Sequence, residues 1–308
     1  FFQPEQNVLP TDLDAIGKKY IQTLANECRK WLMTIPETEP VGVLFSGGID
    51  SGSVFLVLYH LMLEMGMSPQ RLKAFTLSVD GGPDAEQAYR FLNQLGLGLF
   101  LEVLNLPLSA LDYKEAIQSI EDYKSLDLET ATMTLALCKE IRANYPDWKY
   151  LADGDGGDEN LKDYPIEANP ELTIRSVLNN MMLYQEGWGV DKIKHSLTYT
   201  GGQSRGHVRH YAPARQLGFQ SFSPYALPNV IEVAEGIPFI ALTDWNEEAL
   251  YALKGEVVKR GIKAVTGWDM PVFEKRRFQD GAVSADGFSK VLGKRETEYR
   301  TFFHSLYA

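Results

Sequence analysis

Two short stretches of this chain combine glycines with side chains that can carry charge. The first is Ser46-Gly47-Gly48-Ile49-Asp50-Ser51; the second is Asp153-Gly154-Asp155-Gly156-Gly157-Asp158-Glu159. Gly47 and Gly48 permit a sharp turn whose backbone N–H groups approach a ligand closely, and Ser46 and Ser51 add hydroxyl donors. A helix starting at about Ser51 would aim the positive end of its dipole at the same spot. That is a cradle for phosphate. Asp50 would repel a bare phosphate unless a magnesium ion lies between them. The lysine-bearing loop GxxxxGK[ST] is absent. A plain strand-turn-helix corner with a capping serine would be the better reading of a glycine pair alone, but strand, SGGxDS and helix together are a rarer combination.

The elements around these loops follow from hydrophobic spacing. Leu13, Ile16, Tyr20, Leu24, Cys28 and Leu32 recur every three or four residues, predicting an amphipathic helix over 12–33. Val41 to Phe45 reads as a buried strand and Ser51 to Met65 as a helix. A strand at Leu72 to Val79, a helix from Ala85 to Leu95, a strand at Leu99 to Leu104, a helix over 129–144 and a short strand at 148–152 follow. This β-α alternation predicts an α/β fold: a doubly wound parallel sheet covered by helices on both faces. Ligands in such sheets bind beyond the carboxyl ends of the strands. Both glycine-rich loops follow predicted strands directly, so they should meet at one edge. Beyond residue 165 the pattern turns helix-rich and irregular, with loops at "TYTGGQSRGH" and "GFQSFSPYALP". We divide the chain into an N-terminal helical segment (1–40) packing on the core, a main α/β domain (41–290) and a C-terminal helical tail (291–308).

Composition narrows the class further. The chain has 308 residues with 30 basic and 41 acidic side chains, a formal charge of −11, which argues against a broad nucleic-acid surface. No apolar run is long enough to cross a bilayer; the best candidate, "SVFLVLYHLMLEMG", is short and carries His60 and Glu64. The start lacks the basic and apolar regions of a signal peptide, and begins on Phe1, as a processed chain or a piece of a longer one would. Cys28 and Cys138 lie far apart in apolar contexts and read as buried thiols in a reducing, cytoplasmic setting. His207 and His210 form HxxH, but no acid or third ligand lies near them in sequence, and they read as solvated. "TGGQSRGHVR" (200–209) has the composition of a lid or of an ordinary surface loop.

"SGGIDS" resembles the PP-loop of the ATP pyrophosphatase superfamily, whose members cleave ATP between the α and β phosphates. Three further segments point to its asparagine synthetase branch: "LKAFTLSVDGGPDAEQAYRFLNQLG" (72–96), "LADGDGGDENLKDY", similar to that branch's SGEGxDE loop, and "PVFEKRRFQDG" (271–281), similar to its late lysine motif. The four occur in the branch's order and span most of residues 10–290. The resemblance implies that Ser46, Gly47, Gly48 and Ser51 cradle pyrophosphate and that Asp50 and Asp158 hold magnesium on the phosphates of ATP. It implies further that Leu44 and Leu77 flank adenine and that Gly154 lies near the α-phosphate or ribose. Lys275 would neutralise charge on the α-phosphoryl oxygens as pyrophosphate leaves. Asp155 takes the place of a glutamate that the branch associates with the nucleophile and the acyl-adenylate, and the resemblance implies that role for it.

Asparagine synthetases carry a glutamine-hydrolysing domain ahead of this one, with a nucleophilic cysteine that nothing here supplies. Glutamine-derived ammonia would need a partner subunit; otherwise the nitrogen comes from free ammonia or an amine. The branch's G-x-E-x-R-x-P-F becomes Gly218 to Tyr225, with Gln220 and Phe222 where glutamate and arginine stand. Losing that arginine argues against aspartate as substrate, and "FSPYALP" suggests an apolar pocket wall for a less charged or larger acid. The expected activity is an AMP- and pyrophosphate-forming C–N ligase joining a small carboxylate to ammonia or an amine, in a monomer or homo-oligomer. The alternatives are a PP-loop enzyme adenylating a nucleobase or cofactor, and a non-catalytic ATP-binding regulatory subunit.

Overall fold

Asp12 caps the first helix, α1 (Leu13–Leu32), by accepting hydrogen bonds from the amides of Asp14 and Ala15. The computed structural model describes residues 4–163, 173–179, 207–273, 281–283, 287, 290–292 and 295–308. After α1 the chain alternates: β1 (Val41–Leu44), α2 (Ile49–Glu64), β2 (Leu72–Val79), α3 (Asp84–Gln94) and β3 (Leu101–Leu106). Helices α4 (Tyr113–Ile120) and α5 (Ser125–Asn144) lead to β4 (Tyr150–Ala152) and the single turn α6 (Gly157–Asn160). Next come α7 (Ile174–Asn179), a wide helical turn at His207–Tyr211, α8 (Ala212–Gln216) and β5 (Gln220–Phe222). The described chain ends with α9 (Pro228–Glu235), α10 (Phe239–Thr243), α11 (Glu247–Thr266) and α12 (Glu296–Ser305).

The five strands form one all-parallel sheet in the order β3-β2-β1-β4-β5. Strand alternation sends neighbouring side chains to opposite faces. Val41, Val43 and Phe45 enter a core with α1, α2, α3 and α11, while Leu44 joins a second core with Phe75, Leu77, α4 and α5. Two apolar layers on one sheet make the doubly wound α/β fold that the alternation predicts. Cys28 and Cys138 are free, one in each core, and burial pushes both thiols up. Among the described residues no helix is long and apolar enough to cross a membrane.

The structure differs from expectation at several elements; α5, for one, begins at Ser125 and not at 129. Helix α2 starts at Ile49, which puts Asp50 in its first turn. Strand β3 runs two residues later than expected, behind a short helical turn at 98–100. Helix α4 lay unread before α5. Residues 220–222, read as loop, form the edge strand β5, pairing Tyr150 with Gln220 and Ala152 with Phe222. Three residues carry no usable period, and Pro224 hides the signal further. The N-terminal helix is no appendage: Gly17 of α1 meets Gly261 of α11 so closely that a Cβ on Gly261 would lie 2.2 Å from the Gly17 carbonyl oxygen. The C-terminal helix closes the second core through fully buried Tyr299, whose hydroxyl donates to the Leu292 carbonyl at 2.6 Å.

Candidate active site

Strand order reverses between β1 and β4, and the two glycine-rich loops leave the carboxyl ends of these two strands. In the first loop the serines hold the turn together. The Ser46 amide donates to the Ser51 hydroxyl at 3.2 Å, the Gly48 amide donates to Ser46 Oγ at 3.3 Å, and the two hydroxyls lie 3.2 Å apart. Gly47 is in the left-handed region (φ 73°), and a Cβ there would lie 2.8 Å from the backbone of Ala88 in α3. A side chain at 47 is therefore excluded twice, by conformation and by space. Asp50, in the first turn of α2, sits at the positive end of that helix.

The second loop is pressed onto the first. A Cβ on Gly154 would come within 2.6 Å of the Ser51 amide nitrogen, and one on Gly157 within 2.2 Å of Asp50 Oδ1. Only glycine allows this approach, and it brings Asp50 and Asp158 together. Between them lies a residue that sequence reasoning missed. Lys254 of α11, buried, donates to Asp50 Oδ2 at 2.6 Å and to Asp158, and its Nζ is 3.4 Å from Asp163 Oδ2. Burial alone would lower its pKa, but the Asp158, Asp50 and Asp163 charges hold it well above the usual lysine range. Three carboxylates around one ammonium carry a formal charge of −2, which suits a divalent cation. Among the described residues no group of three or more acid, histidine or cysteine side chains is arranged to hold a metal. Two carboxylates fit an ion that takes its remaining ligands from phosphate and water, the habit of magnesium. The signal for Lys254 was in the sequence: it stands four residues from Leu250 and from Val258, inside the buried stripe of α11.

Beside this cluster Asp155 faces a histidine. His210 Nδ1 hydrogen-bonds Asp155 Oδ2, with side-chain exposures of 12% and 18%. The reading of His210 as solvated is therefore corrected: its acid lies 55 residues away in sequence, where local spacing shows nothing. The His207 side chain is outside the described residues. Asp153 is buried, accepts from the Asp155 amide at 3.0 Å and from the Ser223 hydroxyl at 2.9 Å, and is raised to about 7 by burial and then by the Asp155 charge. Arg209 donates to Asp127 at 2.7 Å, and despite burial the Asp127, Glu159 and Asp155 charges raise its pKa.

A family model described as asparagine synthase matches residues 34–237, well over half of the chain. The chain belongs to the asparagine synthase family. A protein of Gallus gallus named asparagine synthetase (glutamine-hydrolysing) is 28% identical over 153 residues, which is 50% of this chain and 26% of that protein. The matched part thus spans about a quarter of that relative's length.

Within this family frame the other expected site residues divide. Leu44 ends β1, Leu77 stands two residues before the end of the adjacent β2, and both are buried in the second core. Lys275 falls in 274–280, outside the described residues. Its neighbours on either side are anchored: Phe273 lies under the Arg90 guanidinium, 5.1 Å from ring centroid to carbon, and Val283 bridges Val79 at the carboxyl end of β2. Most of the 200–209 loop is also outside the described residues. Of the apolar pocket wall read from "FSPYALP", the two rings are engaged in packing. Phe222 stacks on Trp31 of α1 with ring centroids 4.4 Å apart, and Tyr225 is fully buried, its hydroxyl 2.6 Å from that of Ser53. Both rings pack on α1, Phe222 against Trp31 and Tyr225 against Tyr20. Gln220 is exposed.

Proposed function

We propose that this chain is an ATP-dependent ligase that adenylates a carboxylate, releases pyrophosphate, and passes the acyl group to ammonia or an amine to form an amide. The observation that carries this is the docking of Gly154 and Gly157 onto Ser51 and Asp50, which joins a phosphate-sized turn, a helix N-terminus and two carboxylates at the switch point. In this reading the amides and hydroxyls of the 46–51 loop bind the β and γ phosphates, and Leu44 and Leu77 offer apolar surface to adenine. Asp50 and Asp158 would hold magnesium, which when bound screens phosphate charge and orients the leaving pyrophosphate. Lys275 opposes the charge on the α-phosphoryl oxygens, and Asp155 serves the incoming nitrogen. With Phe222 bound up with Trp31 and Arg209 with Asp127, neither meets the α-carboxylate of aspartate, so an acid other than aspartate is favoured. Glutamine-derived ammonia would come from a glutaminase unit, a cytoplasmic location suits ATP, and the chain acts on small molecules.

Products decide the matter. Incubation with Mg-ATP, ammonium and a panel of carboxylates should yield AMP and pyrophosphate; ADP and orthophosphate would refute the reading. Asp50→Asn and Asp158→Asn should each lower pyrophosphate release by about 10²-fold or more, in keeping with loss of a metal ligand. Near-normal turnover in both would remove the metal role.

A further inference from the structure

The contact between Asp155 and His210 has no counterpart in the nucleotide-binding work assigned above. It joins the loop after β4 to the helical turn before α8, at the carboxyl edge of the sheet. Asp155 is adjacent to Gly154, which touches Ser51 and Asp50, so the pair borders the phosphate loop directly. In the neighbouring Arg209–Asp127 pair the acid is shut away at 1% side-chain exposure, while the arginine keeps 15%. Asp155 and His210 keep 18% and 12%, enough for a small molecule to reach them.

We propose that Asp155 and His210 form a base pair of residues for the second half-reaction, in which the His210 imidazole, oriented by Asp155, takes the proton from the attacking amine. This rests on the amide-forming reading above. The amine lone pair forms a C–N bond to the acyl carbon, and one N–H proton passes to His210. The C–O bond to AMP then breaks, with its electron pair leaving on the phosphate oxygen. His210 releases its proton to solvent. A carboxylate on one ring nitrogen fixes the tautomer and steadies the imidazolium that forms. The groups facing His210 are Asp155 and Asp153 from the β4 loop and Arg209 from its own turn. Burial lowers its pKa and Arg209 lowers it too, but Asp155 and Asp153 prevail and hold it above the ordinary value.

The test separates the two half-reactions. Carboxylate-dependent ATP–pyrophosphate exchange reports adenylation alone and is first run on the unaltered chain with L-aspartate, L-glutamate, hexanoate and 3-phenylpropanoate. The acid that supports exchange is then used with ammonium chloride or methylamine to measure amide formation. His210→Gln should lower amide formation by about 10²–10⁴-fold, the usual worth of a general base, and exchange by less than about tenfold. At constant free-base amine concentration, the unaltered chain should show an acid limb in amide formation, above pH ~6.5, that exchange lacks. Asp155→Asn should move that limb to lower pH, because the main charge raising His210 is gone. Amide formation within about threefold of normal in His210→Gln would overturn the proposal, as would equal loss of both half-reactions. If His210→Gln does not fold, the limb decides: its absence, or its indifference to Asp155→Asn, overturns the pair. Absence of exchange with every acid would instead sink the proposed function, on which the pair depends.

Discussion

Lys254 concentrates the electrostatics of the site into one side chain. It is buried in α11 and satisfies carboxylates from two loops and from Asp163. Removing one partner of a buried ion cluster leaves uncompensated charge and typically costs about 3–5 kcal/mol. Lys254→Met is therefore expected to lower Tm by roughly 10 °C in a chain of this size. Millimolar MgCl2 should restore more of that loss in the variant than it adds to the unaltered chain, since a divalent cation would replace the missing ammonium. Thermal unfolding with and without MgCl2 checks both halves; an unchanged Tm would mean Lys254 does not hold the loops.

At the scale of elements, the position of Lys254 depends on how α11 meets α1. The two helices cross where Gly17 and Gly261 face each other, and a Cβ on Gly17 would lie 2.5 Å from the Val257 carbonyl oxygen. Backbone cannot yield as a flexible side chain can, so Gly261→Val must separate the helices. We expect a loss of about 3 kcal/mol or more, at the upper end of overpacking, with reduced pyrophosphate release because Lys254 shifts away from Asp50 and Asp158. Gly255 lies in the same helix, but a Cβ there would meet nothing closer than 3.7 Å. Gly255→Ala should leave turnover intact and raise stability by up to ~1 kcal/mol through helix propensity. Equal effects of the two substitutions in denaturant titrations would refute the crossing argument.

For the molecule as a whole, the acid cluster around His210 makes stability depend on pH. Burial, and then Asp155, raise Asp153 from 3.8 to about 7, so the fold favours its protonated form. That contribution is complete below the unfolded pKa and is lost as pH climbs through the folded one. His210, raised above its ordinary 6.5, acts in the same direction: its contribution is present below pH 6.5 and lost as pH rises further. Asp153→Asn mimics the protonated acid at every pH. The variant should be more stable than the unaltered chain at pH 8, and its advantage should shrink by ~2–3 kcal/mol on moving to pH 5. A difference independent of pH, measured by urea unfolding, would show that Asp153 does not titrate with folding.

The sequence by itself determined strands β1 to β4 and the two glycine-rich loops at their carboxyl ends. Long apolar runs such as Leu72–Val79 and regular helices such as α1 carry their period locally, and a glycine-rich turn between strand and helix announces a close approach wherever it occurs. Asp50 and the glycines beside it could thus be named before any fold was known, and Asp158 followed from the family resemblance. The tertiary structure alone decided which partners those groups meet. Lys254 reaches Asp50 across 204 positions and His210 reaches Asp155 across 55, and no local spacing links such residues. It also decided that Phe222 and Tyr225 pack on Trp31 and Tyr20 of α1, contacts that no local pattern announces. Period and turn chemistry are properties of neighbours along the chain. The charge balance of a buried cluster belongs to neighbours in space.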